Sequence, residues 1–292
     1  MPGGRVATLA LEGFVFDTGA TGIAPRGMAI EQAMLHELPT DDLVQIVKPI
    51  YLHSALRVSA GDGHKNAVAR YTYRQGNARL GELLAEGLDV RYGAPVDELC
   101  REGAGYRVRD EVFDALVLTP PVPQTSPLLW SLEESRAVAN ARYRPCISVS
   151  LGFGAELPPL SYHALLDPEQ RHPLTWLSIE SQKSPDRAPE GCTALVAQMS
   201  PAYSFNFWKH EDTEIVRDVM VYLGRLYGDR LGAPVVQDVR RWKYSQPDSV
   251  AMFDSVNEPA SRVVLAGDGL LAGRVESAFE SGVKAARVIS GV

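Results

Sequence analysis

The chain has 292 residues, enough for one large or two interlocked domains, and its formal net charge of −7 argues against a nucleic-acid partner. Hydrophobic residues at 45% and charged residues at 22% are the proportions of a globular protein that buries a core. Cys100, Cys146 and Cys192 lie too far apart for metal spacing, which suits a reducing compartment, and no apolar run approaches the roughly 20 residues of a membrane helix. With no signal-peptide pattern at the N-terminus either, the expectation is a cytoplasmic, soluble protein.

In chain order, "VATLALEGFVFDTGA" (6–20) reads as two strands around a Glu12-Gly13 turn. Residues 27–38 suit a short helix, and 43–59 is strand material in which Pro49 demotes part to an edge. Leu80, Leu83 and Leu84 mark one face of a helix that stops at Gly87. "LDVRYG", "VDELCRE", "GYRVRD" and "FDALVLTPP" follow as short strands, and a helix is expected around "SPLLWSLEESRAVANA" (126–141). The segment 144–154 is a strand, and 172–208 reads as strand, exposed loop, strand. Residues 211–228 form an amphipathic helix with Ile215, Val219, Tyr222, Leu223 and Leu226 on its apolar face, and a further strand covers "VVQDVRRWKYSQP". This alternation predicts an α/β protein with an additional sheet-rich lobe.

The most informative stretch is "LAGDGLLAGRVESAFESGVKAA" (265–286). A short apolar strand runs into Gly267, Asp268 and Gly269, and Gly273 opens a helix. Val275, Ala278, Phe279, Gly282, Val283, Ala286 and Ile289 recur at helical spacing and are expected to be its buried face. Such a junction presents unpaired backbone N–H groups to an electron-rich ligand. Asp268 would repel a bare phosphate but can accept hydrogen bonds from the hydroxyls of a sugar or sugar alcohol. The glycines can equally serve packing alone.

This stretch resembles the C-terminal flavin motif of the FAD-dependent amine oxidase and protoporphyrinogen oxidase superfamily, its renalase-like branch in particular. "GGRVATLALEGFVFDTGA" (3–20), "FDALVLTPPVPQTSPLL" (113–129), "QKSPDRAPEG" (182–191) and "RRWKYSQP" (240–247) agree in the same order. The resemblance implies a two-lobed flavoprotein. Its FAD lobe, NAD(P)-binding Rossmann-like, would comprise 1–40, 76–125 and 255–292, and its mixed-sheet substrate lobe 41–75 and 126–254. It implies that Gly4, Arg5 and Thr8 approach the pyrophosphate and flavin, and that Asp17, Gly19 and Ala20 form a turn near the ring. Val96 would lie in the strand that meets the adenine, Pro120 in the loop after the next strand. Gly267 and Asp268 would hold the ribityl–phosphate region, and Gly273, Arg274 and Val275 would offer N–H groups to the ring.

The family normally begins with a strand, a Gly-x-Gly-x-x-Gly turn, a helix and a second strand ending in an acid, about 30 residues in all. That unit would precede Gly3, and neither "GFGAE" (152–156) nor "GDGHKN" (61–66) replaces it. The expectation is a truncated FAD lobe, with natural sequence upstream of Met1 and little FAD on the chain made alone. The competing account is a short chain with weak, altered or lost FAD binding.

The resemblance implies oxidation of a small amine or dihydronicotinamide-type substrate by hydride transfer, with oxygen as electron acceptor and no membrane partner. Candidate substrate-binding residues are Trp176, Arg241, Trp242 and Tyr244, with Tyr203 and Trp208 beside them. An aromatic wall can stack on a flat heterocycle and an arginine can meet a phosphate. Lys183 reads as a loop lysine, the six histidines show no metal spacing, and no Gly-x-Ser-x-Gly elbow supports a hydrolase. A degenerate flavoprotein fold kept as a binding module, or a desaturase or isomerase of an apolar substrate, are the alternatives.

Overall fold

The computed structural model describes residues 3–259 and 261–291. Strands β1 (Thr8–Leu11) and β2 (Phe14–Asp17) pair antiparallel around Glu12 and Gly13, whose φ values of 49° and 83° make the tight turn that their sequence predicts. Helix α1 (Met28–Gln32) runs on into a π-helical turn over Ala33–Glu37, which completes the expected helix. The 43–59 region resolves into β3 (Leu43–Gln45), β4 (Ile50–Ser54) and β5 (Arg57–Ser59), with Pro49 in the gap before β4. Helix α2 (Gly63–Asn66), strand β6 (Tyr71–Tyr73) and helix α3 (Ala78–Ala85) follow, and α3 ends before Gly87 at φ +79°.

Residues 88–93 form no strand, contrary to expectation: Leu88, Val90 and Tyr92 are exposed, and no neighbouring strand completes their backbone hydrogen bonds. Strands β7 (Cys100–Glu102), β8 (Gly105–Val108) and β9 (Glu111–Phe113) make a meander, and β10 (Leu116–Leu118) leads to α4 (Val122–Ser131). Helix α4 starts four residues before the expected 126, because Pro123 is tolerated in a first turn where no N–H bond is needed, and it ends near Glu133 at φ +58°.

Strands β11 (Arg142–Phe153), β12 (Ala164–Leu166) and β13 (Leu174–Ile179) precede a short helix α5 (Glu180–Lys183). Then come β14 (Thr193–Met199), α6 (Pro201–Asn206), α7 (Asp212–Tyr227) and β15 (Val236–Ser249). Helix α8 (Phe253–Val256), strand β16 (Val263–Leu265) and helix α9 (Val275–Ser290) finish the chain. No helix among the described residues is long and apolar enough to cross a membrane.

The chain divides into two compact units, and β11 and β15 pass from one to the other. The first comprises residues up to 25, 34–87 and 145–245, so the β1–β2 hairpin and α3 belong to it. It is built on a seven-stranded mixed sheet in the order β15-β11-β14-β13-β12-β4-β5, parallel at β12–β4 and antiparallel at β11–β14, β14–β13, β13–β12 and β4–β5. Alternation puts Ile147, Val149, Leu151, Leu177, Leu195 and Ala197 on one sheet face, in one core with Ile215, Val219 and Leu223 of α7. On the other face Phe14 and Phe16 of the hairpin pack with Ala194, Val196 and Val236. Gly152 leaves the room for this, since a Cβ there would stand 2.4 Å from Val236 and 2.9 Å from Phe14.

The second unit comprises 26–33, 88–144 and 246 onward. Its parallel β10–β16 pair carries a core of Leu116, Leu118, Leu129, Val264 and Leu265. Helix α9 forms as expected but turns a different face inward. Ser277, Ser281 and Ala285 are buried, while Ala278, Gly282 and Ala286 are exposed. The physical cause is a polar anchor: Ser281 Oγ accepts the Gly267 N–H at 2.7 Å and donates to Ala278 O.

Candidate functional site

In the second unit the loop between β16 and α9 is shaped by its glycines. Gly267 sits at φ 132°, ψ 167°, a region open essentially to glycine alone. The Asp268 carbonyl accepts N–H bonds from Leu271 at 3.1 Å and Gly273 at 3.1 Å, which folds the loop back on itself. Gly273 has φ +68°, and a Cβ on it would press on Pro247 at 2.9 Å. Behind it α9 begins at Val275 with no side-chain cap, and its first intrahelical bond is Ala278 N–H to Arg274 O at 3.0 Å. The N–H groups of that first turn therefore have no acceptor inside the helix.

Asp268 is buried, 6% exposed, and its Oδ1 accepts the Tyr143 hydroxyl at 3.4 Å, the kind of donor a sugar alcohol offers. Pro120 lies in the bend between β10 and α4, where its carbonyl takes the Thr125 hydroxyl. Val96 is not in a strand: it sits in irregular chain before β7, half-buried against the unit's core, which corrects the expected adenine-facing strand.

In the first unit, Gly4–Val6 is a short 3-10 turn, with Gly4 exposed and Arg5 Nη1 donating to Ser245 O at 3.2 Å. The Thr8 hydroxyl is internally committed, donating to Asp17 Oδ1 at 2.9 Å and accepting the Ala78 N–H at 3.1 Å. Asp17, expected merely to shape a turn, is the centre of a fully buried charge cluster. Its Oδ2 contacts Lys183 Nζ at 2.9 Å and Arg187 Nη2 at 2.8 Å, and Glu180 Oε2 contacts the same cations at 2.7 and 3.2 Å. All four side chains are 0% exposed. Burial pushes the Asp17 carboxyl up, but Lys183 and Arg187 outweigh it and hold the group well below the usual carboxylate range.

The 180–187 segment is thus not the exposed loop its composition suggests. Lys183 has three ammonium hydrogens and three acceptors, Asp17, Glu180 and Thr21 O, so it has no donor left for a substrate. The signal missed in the sequence is that Glu180, Lys183 and Arg187 carry one surplus positive charge, which Asp17 neutralises.

The aromatic candidates separate. Trp176 is half-buried on β13, and its buried Nε1 has no hydrogen-bond partner among the described residues. Trp242 Nε1 donates to Thr18 O at 2.8 Å, and Tyr244 is half-buried on β15 with Lys243 Nζ 5.3 Å from its ring centre. Tyr203 is a core residue stacked on Phe207 at 4.2 Å and bonded to Asp218, and Trp208 packs against the same core. Arg241 is committed to Trp208 O at 2.9 Å, His210 O at 2.7 Å and Asp212 at 2.7 Å, so it staples the 208–212 segment rather than standing ready for a phosphate. The described residues contain no metal-binding cluster.

In the second unit an uncapped helix start beside a buried carboxylate that accepts a hydroxyl is a donor and acceptor set that suits a flavin, whereas in the first unit Thr8 and Asp17 are committed to internal partners. A family model described as flavin containing amine oxidoreductase matches residues 54–290. Among solved structures, an Exiguobacterium sp. 255-15 protein assigned as a protoporphyrinogen oxidase is 14% identical with a TM-score of 0.71, over 98% of this chain and 89% of that one. A reduced UDP-galactopyranose mutase is 13% identical with a TM-score of 0.73, over 99% and 88%. Cyclohexylamine oxidase from Brevibacterium oxydans IH-35A is 18% identical with a TM-score of 0.56, over 77% of this chain and 55% of its own. At these identities the likeness carries the fold.

Proposed function

The chain belongs to the family of flavin containing amine oxidoreductases, and on that footing we propose that it is a renalase-like FAD-dependent oxidoreductase acting on a small amine or dihydronicotinamide-type substrate. A flavin supplies the two-electron acceptor for removal of a hydride from carbon, with oxygen as the terminal acceptor. The chain's own residues bind and orient. Asp268 would accept hydroxyl hydrogen bonds from the ribityl chain, and the N–H groups at the start of α9 would stabilise negative charge gained on the ring. In the first unit, Trp176 offers a half-buried aromatic face whose indole N–H has no partner among the described residues.

The observation that carries this reading is the uncapped first turn of α9 behind Gly273, next to buried Asp268. Titration of the purified chain with FAD, followed by flavin fluorescence and the visible absorption band, tests it. A chain that purifies with little FAD is expected to bind added FAD saturably, and Asp268→Ala to weaken that binding at least about tenfold, on the scale of losing a hydrogen bond to a charged group. An absence of saturable binding overturns the proposal, and unchanged affinity in Asp268→Ala removes that residue from the site.

A further inference from the structure

The segment that follows β2 is held more completely than a turn requires. Four consecutive carbonyls, those of Thr18, Gly19, Ala20 and Thr21, each accept a hydrogen bond from a different side chain. Trp242 Nε1 bonds Thr18 O at 2.8 Å and Gln198 Nε2 bonds Gly19 O at 2.7 Å. Asn77 Nδ2 bonds Ala20 O at 2.8 Å and Lys183 Nζ bonds Thr21 O at 2.7 Å. These donors come from β15, β14, the start of α3 and α5. On the amide side, Thr18 N–H donates to Ala7 O at 3.1 Å and Ala20 N–H to Arg5 O at 2.9 Å. Among the described residues the N–H groups of Gly19 and Thr21 have no acceptor, and both residues are half-buried.

Peptide planarity turns this pattern into a direction. The Thr18 carbonyl and the Gly19 N–H share one planar trans peptide and point opposite ways, as do the Ala20 carbonyl and the Thr21 N–H. Trp242 and Asn77 therefore fix where the two unpartnered donors aim, and a bonded carbonyl polarises the N–H across its own peptide. Side chain at position 19 is excluded, because a Cβ there would lie 2.0 Å from Arg5 O.

We propose that Trp242 and Asn77 are positioning residues that aim the Gly19 and Thr21 N–H groups, as a pair, at the acceptor-rich edge of the flavin. This rests on the flavin reading above, and it gives Trp242 a hydrogen-bonding role in place of the stacking role expected from its sequence. Asn77 is itself pinned, its N–H donating to Asp17 Oδ1 at 2.8 Å and its Oδ1 accepting the Thr72 hydroxyl at 3.0 Å. The buried charge cluster thus supports the same turn.

The test compares the wild-type chain with Trp242→Phe and with a chain carrying benzothienylalanine at 242, which keeps the indole shape and lacks the N–H. In ligand-free wild type, residue-resolved amide exchange is expected to be slow at Thr18 and Ala20 and fast at Gly19 and Thr21. Added FAD slows Gly19 and Thr21, and both variants lose that protection, weaken FAD about tenfold and shift the flavin absorption band, while the melting temperature stays close to wild type. Slow exchange at Gly19 and Thr21 without ligand overturns the proposal, and so do unchanged affinity and spectrum in the benzothienylalanine chain. If wild type binds no FAD, the functional reading falls, and the ligand-free exchange pattern alone upholds or overturns the aiming of the two amides.

Discussion

Lys183→Met should be among the most damaging single substitutions in the first unit. The ammonium lies 2.9 Å from Asp17 and 2.7 Å from Glu180, with every side chain in the cluster 0% exposed. At an effective dielectric of about 20, each contact is worth roughly 6 kcal/mol of gross attraction, and dehydration of the ions takes back several kcal/mol apiece. Truncation leaves two buried carboxylates facing Arg187 alone, and losses of this kind cost about 3–5 kcal/mol. A unit of roughly 180 residues melts with an entropy near 0.4 kcal/mol/K, so the midpoint should fall by about 8–13 °C.

Tryptophan fluorescence is the suitable probe, because Trp176, Trp208 and Trp242 lie in the first unit and only Trp130 in the second. A second variant separates charge from packing. Glu180→Gln combined with Lys183→Met restores neutrality and leaves Asp17 paired with Arg187 at 2.8 Å. The pair should be less destabilised than the sum of its parts by at least about 1 kcal/mol. A midpoint within about 2 °C of wild type for Lys183→Met, or strict additivity in the double variant, would refute the account of a dry, coupled cluster.

Acid should destabilise the first unit through its buried histidines. Burial pushes the His163 imidazole from about 6.5 down to about 4, and His53 shifts the same way. Between those pH values the unfolded chain takes up a proton that the folded chain refuses, so His163 removes about 1.4 kcal/mol per pH unit as pH falls, and nothing above pH 6.5. His163→Gln should flatten the urea midpoint between pH 6.5 and 4.5, and parallel profiles for variant and wild type would count against the assignment. Among glycines, Gly19→Ala sets a Cβ 2.0 Å from backbone and should cost about 3 kcal/mol, whereas Gly224→Ala, with open space on helix α7, should stabilise by up to about 1 kcal/mol. Thermal melts of the two variants check both signs.

What could be read from the residues was what repeats or turns. Glu12-Gly13 marks the hairpin, Ile215, Val219 and Leu223 mark the inner face of α7, and Gly267 to Gly273 marks the strand-to-helix loop, because each pattern is local. The period of α9 was equally plain, yet its phase was not. Apolar weight favours Val275, Phe279 and Val283, but the hydroxyl of Ser281 bonded to Gly267 N–H rolls the helix so that small polar residues face the strand. Arg241 looked like a ligand because its acceptors, Trp208 O and His210 O, lie more than 30 positions away. The cluster was hidden for the same reason: Asp17 and Lys183 are 166 positions apart, and a charge reads as solvated until its counter-charge is brought beside it. Periodicity reports which residues share a face; a single buried hydrogen bond decides where that face points, and here such bonds, made by Ser281, Trp242 and Lys183, set the elements that the proposed chemistry uses.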